Sequence, residues 1–135
     1  KIINLFLKEF SKKKIIGYGA STKGNIVLNH CSISDKQLKL ICDANPEKFG
    51  KYTPGSNIKI ISKETMRKLK PDYLFVLIWS FRKEVIKQEE KYIRSGGKLI
   101  FHLPMFHIVD KSNHNVHLES IDAFIGILGN DFGIL

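Results

Sequence analysis

Five short apolar runs, each closed off by Gly, Pro, Asp or Ser, alternate along the chain with stretches of helical periodicity. That alternation leaves few folds open. The runs cover residues 14–16, 38–42, 58–61, 73–79 and 98–103, and helices are predicted between them over 23–29, 63–69 and 81–94. An unbroken apolar run has no face suited to water, so such a strand needs cover on both sides, and strands separated by helices pair in parallel. The predicted architecture is an α/β fold of three layers, a doubly wound and mainly parallel five-stranded sheet. A chain of 135 residues has room for one such unit and its core.

Two end segments flank that core. Ile2, Leu5, Phe6 and Phe10 fall at helical spacing, so residues 1–12 are read as a leading helix with one apolar side and 13–106 as the sheet domain. Residues 107–135 form a tail that is polar as far as His117 and then apolar through Ile121, Phe124, Ile125 and Leu128, the pattern of a docking helix. A chain opening on Lys1 rather than Met is read as a piece of a longer polypeptide. No apolar run reaches the roughly 20 residues that cross a bilayer and no signal-peptide pattern opens the chain, so the expected compartment is the cytoplasm, with no membrane partner. Cys31 and Cys42 are too few for a disulfide framework or a zinc quartet and are read as reduced packing residues. His107, His114 and His117 have no clustered Cys or carboxylate, so no metal site is assigned, and His102 is read as a half-buried imidazole near the end of the fifth strand.

The charge of +9 favours anionic partners. Its lysines are spread along the chain, with one tight cluster at 12–14, which describes a generally basic surface and no specific nucleic-acid site. The residues suited to an anion sit where strands end. Strand one runs into Gly17-Tyr18-Gly19-Ala20-Ser21-Thr22-Lys23-Gly24-Asn25 and then a helix. In such a turn glycine lets the backbone approach a phosphate while the helix start offers unpaired N–H groups. The third glycine arrives too late for the dinucleotide fingerprint, and no P-loop follows. Strand two ends at Asp43, ahead of Asn45, Pro46, Lys48, Lys51 and Tyr52. Asp43 suits either a ribose hydroxyl or an Asx-turn. Pro54-Gly55 fits the middle of a type II turn. Strand four ends at Trp79, either a core residue or a cleft wall, with Ser80 placed to cap the next helix. Gly17, Asp43 and Trp79 thus mark three strand carboxyl ends, where a sheet of this kind holds its ligand.

These blocks, with Pro71-Asp72-Tyr73 and Gly96-Gly97-Lys98, resemble the C-terminal domain of S-adenosylmethionine-dependent sugar C-methyltransferases over about residues 14–104, most specifically in Gly50-Lys51-Tyr52-Thr53-Pro54-Gly55. The resemblance implies a Rossmann-like domain that closes a nucleotide-diphosphate-sugar cleft. It also implies a preceding methyltransferase domain, absent here, that binds S-adenosylmethionine and carries the base. The reaction so implied removes a proton beside the sugar's keto group, and the resulting carbanion takes the methyl group. The contacts implied for this chain are Gly17, Tyr18, Gly19, Ala20, Lys23, Gly24, Asn25, Asp43, Asn45, Lys48, Lys51, Tyr52 and Trp79. The catalytic residues are not identifiable in this chain, which is expected to be inactive alone. The other readings are an NAD(P)-binding domain of a dehydrogenase or epimerase, from Gly17-x-Gly19 and Asp43, and a non-catalytic basic interaction module.

Overall fold

A computed structural model of the chain describes residues 2–9, 11–103 and 105–117. The tail helix expected over 121–128 lies outside the described residues. Strands β1 (Ile15–Tyr18), β2 (Leu40–Asp43), β3 (Lys59–Ser62), β4 (Tyr73–Val76), β5 (Lys98–Phe101) and β6 (His107–Val109) form one sheet in the order β3-β2-β1-β4-β5-β6. β1 to β5 are parallel, and β6 runs antiparallel to β5 with Phe101 opposite His107. The expected class holds, with six strands rather than five. The extra one comes from the stretch read as polar tail, because three residues with only alternate positions buried make too brief a run to register as a strand.

Successive side chains on a strand point to opposite faces, so each strand feeds two cores. On one face Ile41, Phe75 and Ile100 pack with Leu28 of helix α2 (Thr22–His30) and with Ile3 and Leu7 of helix α1 (Ile2–Glu9). On the other, Ile16, Tyr18, Leu74, Val76, Leu99 and Phe101 meet Met66 of α3 (Lys63–Leu69), Val85 and Ile86 of α4 (Arg82–Gln88) and Ile93 of α5 (Glu90–Arg94). The leading helix is therefore part of the domain's core. Each fully buried aliphatic or aromatic side chain contributes about 1.5–3 kcal/mol.

The predicted helix over 81–94 is two segments, α4 and α5, joined through Glu89, whose backbone leaves helical geometry at φ −101°, ψ 22°. Glu89 is 1% exposed, yet its carboxylate is fully engaged. It accepts from Tyr18 Oη at 2.9 Å and from Arg67 Nε and Nη2 at 3.1 and 2.6 Å, tying α3 and the α4–α5 junction to the end of β1. The same contact raises the basicity of Arg67, while burial first and the Glu89 charge second push the Tyr18 phenol far above its ordinary value. Ser80 does not cap α4. Residues Trp79–Phe81 form a single 3-10 turn, and α4 begins without a side-chain cap.

A short helix, α6 (His114–His117), follows β6 and packs against α4. Among the described residues no helix is long and apolar enough to cross a membrane, and no group of three or more His, Cys, Asp or Glu could hold a metal ion.

Candidate functional site

The strand order reverses between β1 and β4, which sit side by side with Tyr18 opposite Val76. The turns leaving their carboxyl ends diverge to opposite faces of the sheet, the place where open α/β sheets take ligands. After β1 the chain must turn at once into α2. Gly19 does so with φ +98°, donating its amide to Cys42 O at 2.8 Å, and a Cβ there would lie 2.7 Å from Ile78. Only glycine fits both conditions. Gly24 serves the other side of the turn, since a Cβ on it would lie 2.7 Å from Gly19 O and 3.2 Å from Leu77. It lets α2 rest directly on the strand ends, the packing role of a third glycine, although its spacing is late.

The turn is held from the tip of β2. Asp43 Oδ2 accepts from the Ala20 amide at 2.9 Å, and Asp43 Oδ1 accepts from the Asn45 amide at 2.9 Å in an Asx-turn. Lys48 Nζ reaches back to donate to Ala20 O at 2.9 Å and stands 3.9 Å from Asp43 Oδ2. Both backbone polar groups of Ala20, its N–H and its C=O, are thereby held, one by a carboxylate and the other by an ammonium. Asn45 in turn caps the 3-10 turn Pro46–Lys48 by accepting from the Glu47 amide at 3.0 Å. At the start of α2, Ser21 Oγ accepts from the Gly24 amide at 3.0 Å. Thr22 and Lys23, the first two helical residues, keep amides that have no partner within their own helix, at its positive end. Asn25 Oδ1 is buried beside them without a hydrogen-bond partner. The assembled edge is a rigid backbone turn with free donors, flanked by Lys23 and Lys48, a geometry that receives an anion.

Trp79 stands beyond Ile78, the residue against which Gly19 packs, and is 36% exposed, with Phe81 more exposed still. It leaves the strand, because β4 ends at Val76 and Leu77 spends its amide on Tyr18 O. Gly19, Ala20, Lys23, Gly24, Asn25, Asp43, Asn45, Lys48 and Trp79 are thus gathered at one edge of the sheet.

Four other residues expected there lie elsewhere. Gly17 is inside β1 against Ile41, and the Tyr18 side chain is buried in the opposite core. Lys51 and Tyr52 belong to a segment that doubles back along β3, with Lys51 O accepting from Ile60 N and Tyr52 bridging to Lys59, at the amino end of that strand. The turn that follows, with Gly55 at φ +77° and Asn29 Nδ2 donating to Pro54 O, braces the far end of α2. Sequence reasoning gave no role to Ser21, although its place one residue before the helix and three before Gly24 is a capping signal. Two grooves open instead at the amino edge. One is lined by Lys13, Lys70, Lys87 and Lys91, the other by Asn4, Lys8 and Lys36.

A buried cluster stands behind the Trp79 turn. Arg82, 2% exposed, donates from Nε to His107 Nε2 at 3.1 Å, and His107 Nδ1 is tied to Met105 O at 2.7 Å. The His107 ring stacks on Phe101 at 5.0 Å. Accepting from a guanidinium with Nε2 requires a neutral ring protonated on Nδ1. Burial lowers His107 to about 4 and Arg82 to about 10. A folded-state value below the ordinary 6.5 means that the unfolded chain binds the proton more readily, so stability is lost as pH falls from about 6.5 through about 4. By pH 5 this one group should cost about 2 kcal/mol relative to pH 7. Urea unfolding at pH 7, 6 and 5 should show that loss as the difference in slope between the natural chain and H107Q. Equal slopes would mean that His107 titrates normally.

The strand order and the braced glycine turn at its reversal define a Rossmann-like domain. The chain belongs to the C-methyltransferase C-terminal domain family, whose match covers residues 3–104. It is 36% identical over 92 residues to the C-methyltransferase NovU of Streptomyces niveus, a stretch covering 68% of this chain and 22% of that protein. Among solved structures it is similar to UDP-D-quinovosamine 4-dehydrogenase from Vibrio fischeri, with a TM-score of 0.45 and 16% identity over 81% of this chain and 88% of that one. It is also similar to RSP, a Rex-family repressor, with a TM-score of 0.46 and 21% identity over 77% and 54% of the two chains.

Proposed function

We propose that the chain is the substrate-side domain of an S-adenosylmethionine-dependent C-methyltransferase acting on a nucleotide-linked keto-deoxysugar of the deoxythymidine diphosphate type. The reading rests on family membership and on one observation: the Ala20 backbone is clamped by Asp43 and Lys48 so that the start of α2 faces outward with unpaired amides. That rigid positive end suits a diphosphate, because the donors are ordered before the ligand arrives and binding costs little reorganisation. Lys23 and Lys48 add charge, and Asn25, whose buried oxygen lacks a donor, suits a sugar hydroxyl or a bound water. Trp79 offers an aromatic face to the base or the sugar.

S-Adenosylmethionine supplies the methyl group in such a reaction, and a preceding domain of the same polypeptide would hold it. In this chain the acid that could meet an adenosine ribose, Asp43, already accepts the Ala20 and Asn45 amides, one on each oxygen. That acid braces its own turn, and the third glycine of the turn comes too late for a dinucleotide, so neither S-adenosylmethionine nor NAD is assigned to this edge and no step of the chemistry is given to its residues. Their role is to hold the substrate still by its phosphates while the reaction proceeds in the adjoining domain. Titration calorimetry of the 135-residue chain separates the alternatives. Deoxythymidine diphosphate should bind with a dissociation constant of about a millimolar or tighter, and NAD and S-adenosylmethionine should give no heat. Binding of NAD in place of the diphosphate would replace this reading with a dehydrogenase-type domain.

A further inference from the structure

Arg82 and His107 form a buried polar pair that serves neither of the two cores well. A guanidinium taken out of water gains little net stability even when hydrogen-bonded, and a pair of apolar residues of similar volume does as well or better. Arg82 is also the first residue of α4, where the positive end of the helix disfavours a cation. What the pair does accomplish is geometric. Arg82 follows Trp79–Phe81 without a break, so the guanidinium is an anchor for that turn. The guanidinium donates from Nε to His107 Nε2 and holds its carbon 5.5 Å from the centre of the Phe101 ring, on which the His107 ring also stacks. His107 itself is fixed on two sides, by Met105 O and by the pairing of β6 with β5.

We propose that His107 is a positioning residue for the carboxyl-edge site, acting through Arg82 to set the place of Trp79. Strand β6, the element that no sequence signal revealed, then determines the aromatic wall of a site to which it contributes no contact. The part of this inference that concerns ligand affinity rests on the proposed nucleotide-sugar reading; the part that concerns Trp79 does not.

The test uses the full chain, in which Trp79 is the single tryptophan. The double variant R82M/H107L removes the donor and the acceptor of that bond together, at the cost of the His107 contact with Met105 O. It should fold with an unfolding midpoint moderately below that of the natural chain. Its Trp79 should be more quenchable by acrylamide and red-shifted in emission, and deoxythymidine diphosphate should bind about tenfold more weakly, as expected when a positioning contact is lost. H107Q, whose side-chain oxygen can still accept from Arg82, should restore both properties. A folded double variant with natural Trp79 quenching and emission would overturn the proposal. Should that variant not fold, R82K, which keeps the charge but loses the Nε donor, must show the same Trp79 change, and its absence would overturn the proposal equally. If Trp79 responds as stated while even the natural chain ignores the diphosphate, the positioning role stands and the substrate reading fails.

Discussion

Replacing Glu89 by alanine should unfold this domain at a far lower urea concentration than the natural chain requires. The carboxylate is 1% exposed and receives three hydrogen bonds, from the Tyr18 phenol and from two nitrogens of Arg67. Removing it leaves the buried phenol with only the longer 3.3 Å contact to Gln88 Oε1 and costs Arg67 its carboxylate partner, in a region where burial already holds the neighbouring Cys42 thiol up at about 12. Hydrogen bonds to a charged group contribute about 1.5–3 kcal/mol each, so even with the half-exposed Arg67 returned to water the loss is a large share of a small domain's stability. E89Q should recover part of the loss, since its amide oxygen still accepts from Tyr18 or Arg67. Equal midpoints for E89A and the natural chain would mean that the pair adds nothing to stability. The effect belongs to the fold, and at temperatures where E89A stays folded its ligand affinity should be unchanged.

Asp43→Ala should have the second largest effect and the opposite signature. Its two amide contacts and the nearby Lys48 hold a turn at the surface, so stability falls by only about 2–3 kcal/mol. The Ala20 backbone, however, is then held on one side only, and the start of α2 no longer faces a fixed direction. Binding of deoxythymidine diphosphate should drop below detection in calorimetry at a temperature where circular dichroism shows the variant fully folded. D43N, which can accept from one of the two amides, should bind with intermediate affinity. Full binding by D43A would show that the brace is unnecessary to the site.

The contrast between these two acids shows what was legible in the sequence. Asp43 stands at the end of an apolar run, where strand-tip rules offer a ribose hydroxyl or an Asx-turn; the Asx-turn forms, while the hold on the Ala20 amide, 23 residues away, carried no sequence signal. Glu89 could not be read in the same way. It sits on a helical stretch whose periodicity is otherwise regular, and the Tyr18 that draws it inward is 71 residues away. Parallel strands and their covering helices were legible because burial on two faces leaves an unbroken apolar run in one dimension.

The misplaced residues have specific causes. Tyr18 follows Ile16 at the strand period of two, so alternation alone sends its side chain to the core shared with Leu74 and Val76. Lys51 and Tyr52 were grouped with Asp43 because they lie close in sequence, yet the chain reverses after Lys48, and only the hydrogen bonds of Gly50, Lys51 and Thr53 with Ile58 and Ile60 reveal it. The most specific block of the family resemblance is therefore largely a structural brace, since Thr53 is buried in it against the buried Ser56 that follows and Gly55 leaves room for Asn29. Arg82 and His107 carried no signal at all, because a buried polar pair 25 residues apart resembles two surface residues until the fold brings them together.

The most direct measurement is a map of amide chemical-shift changes in the full chain as deoxythymidine diphosphate is added. The account predicts that the largest changes fall on Gly19, Ala20, Thr22, Lys23 and Gly24, with the Trp79 indole and the Lys48 region following, while Gly96, Gly97 and the lysines of the opposite edge stay still. Changes confined to the amino-edge groove around Lys70, Lys87 and Lys91, or none at millimolar ligand, would contradict it.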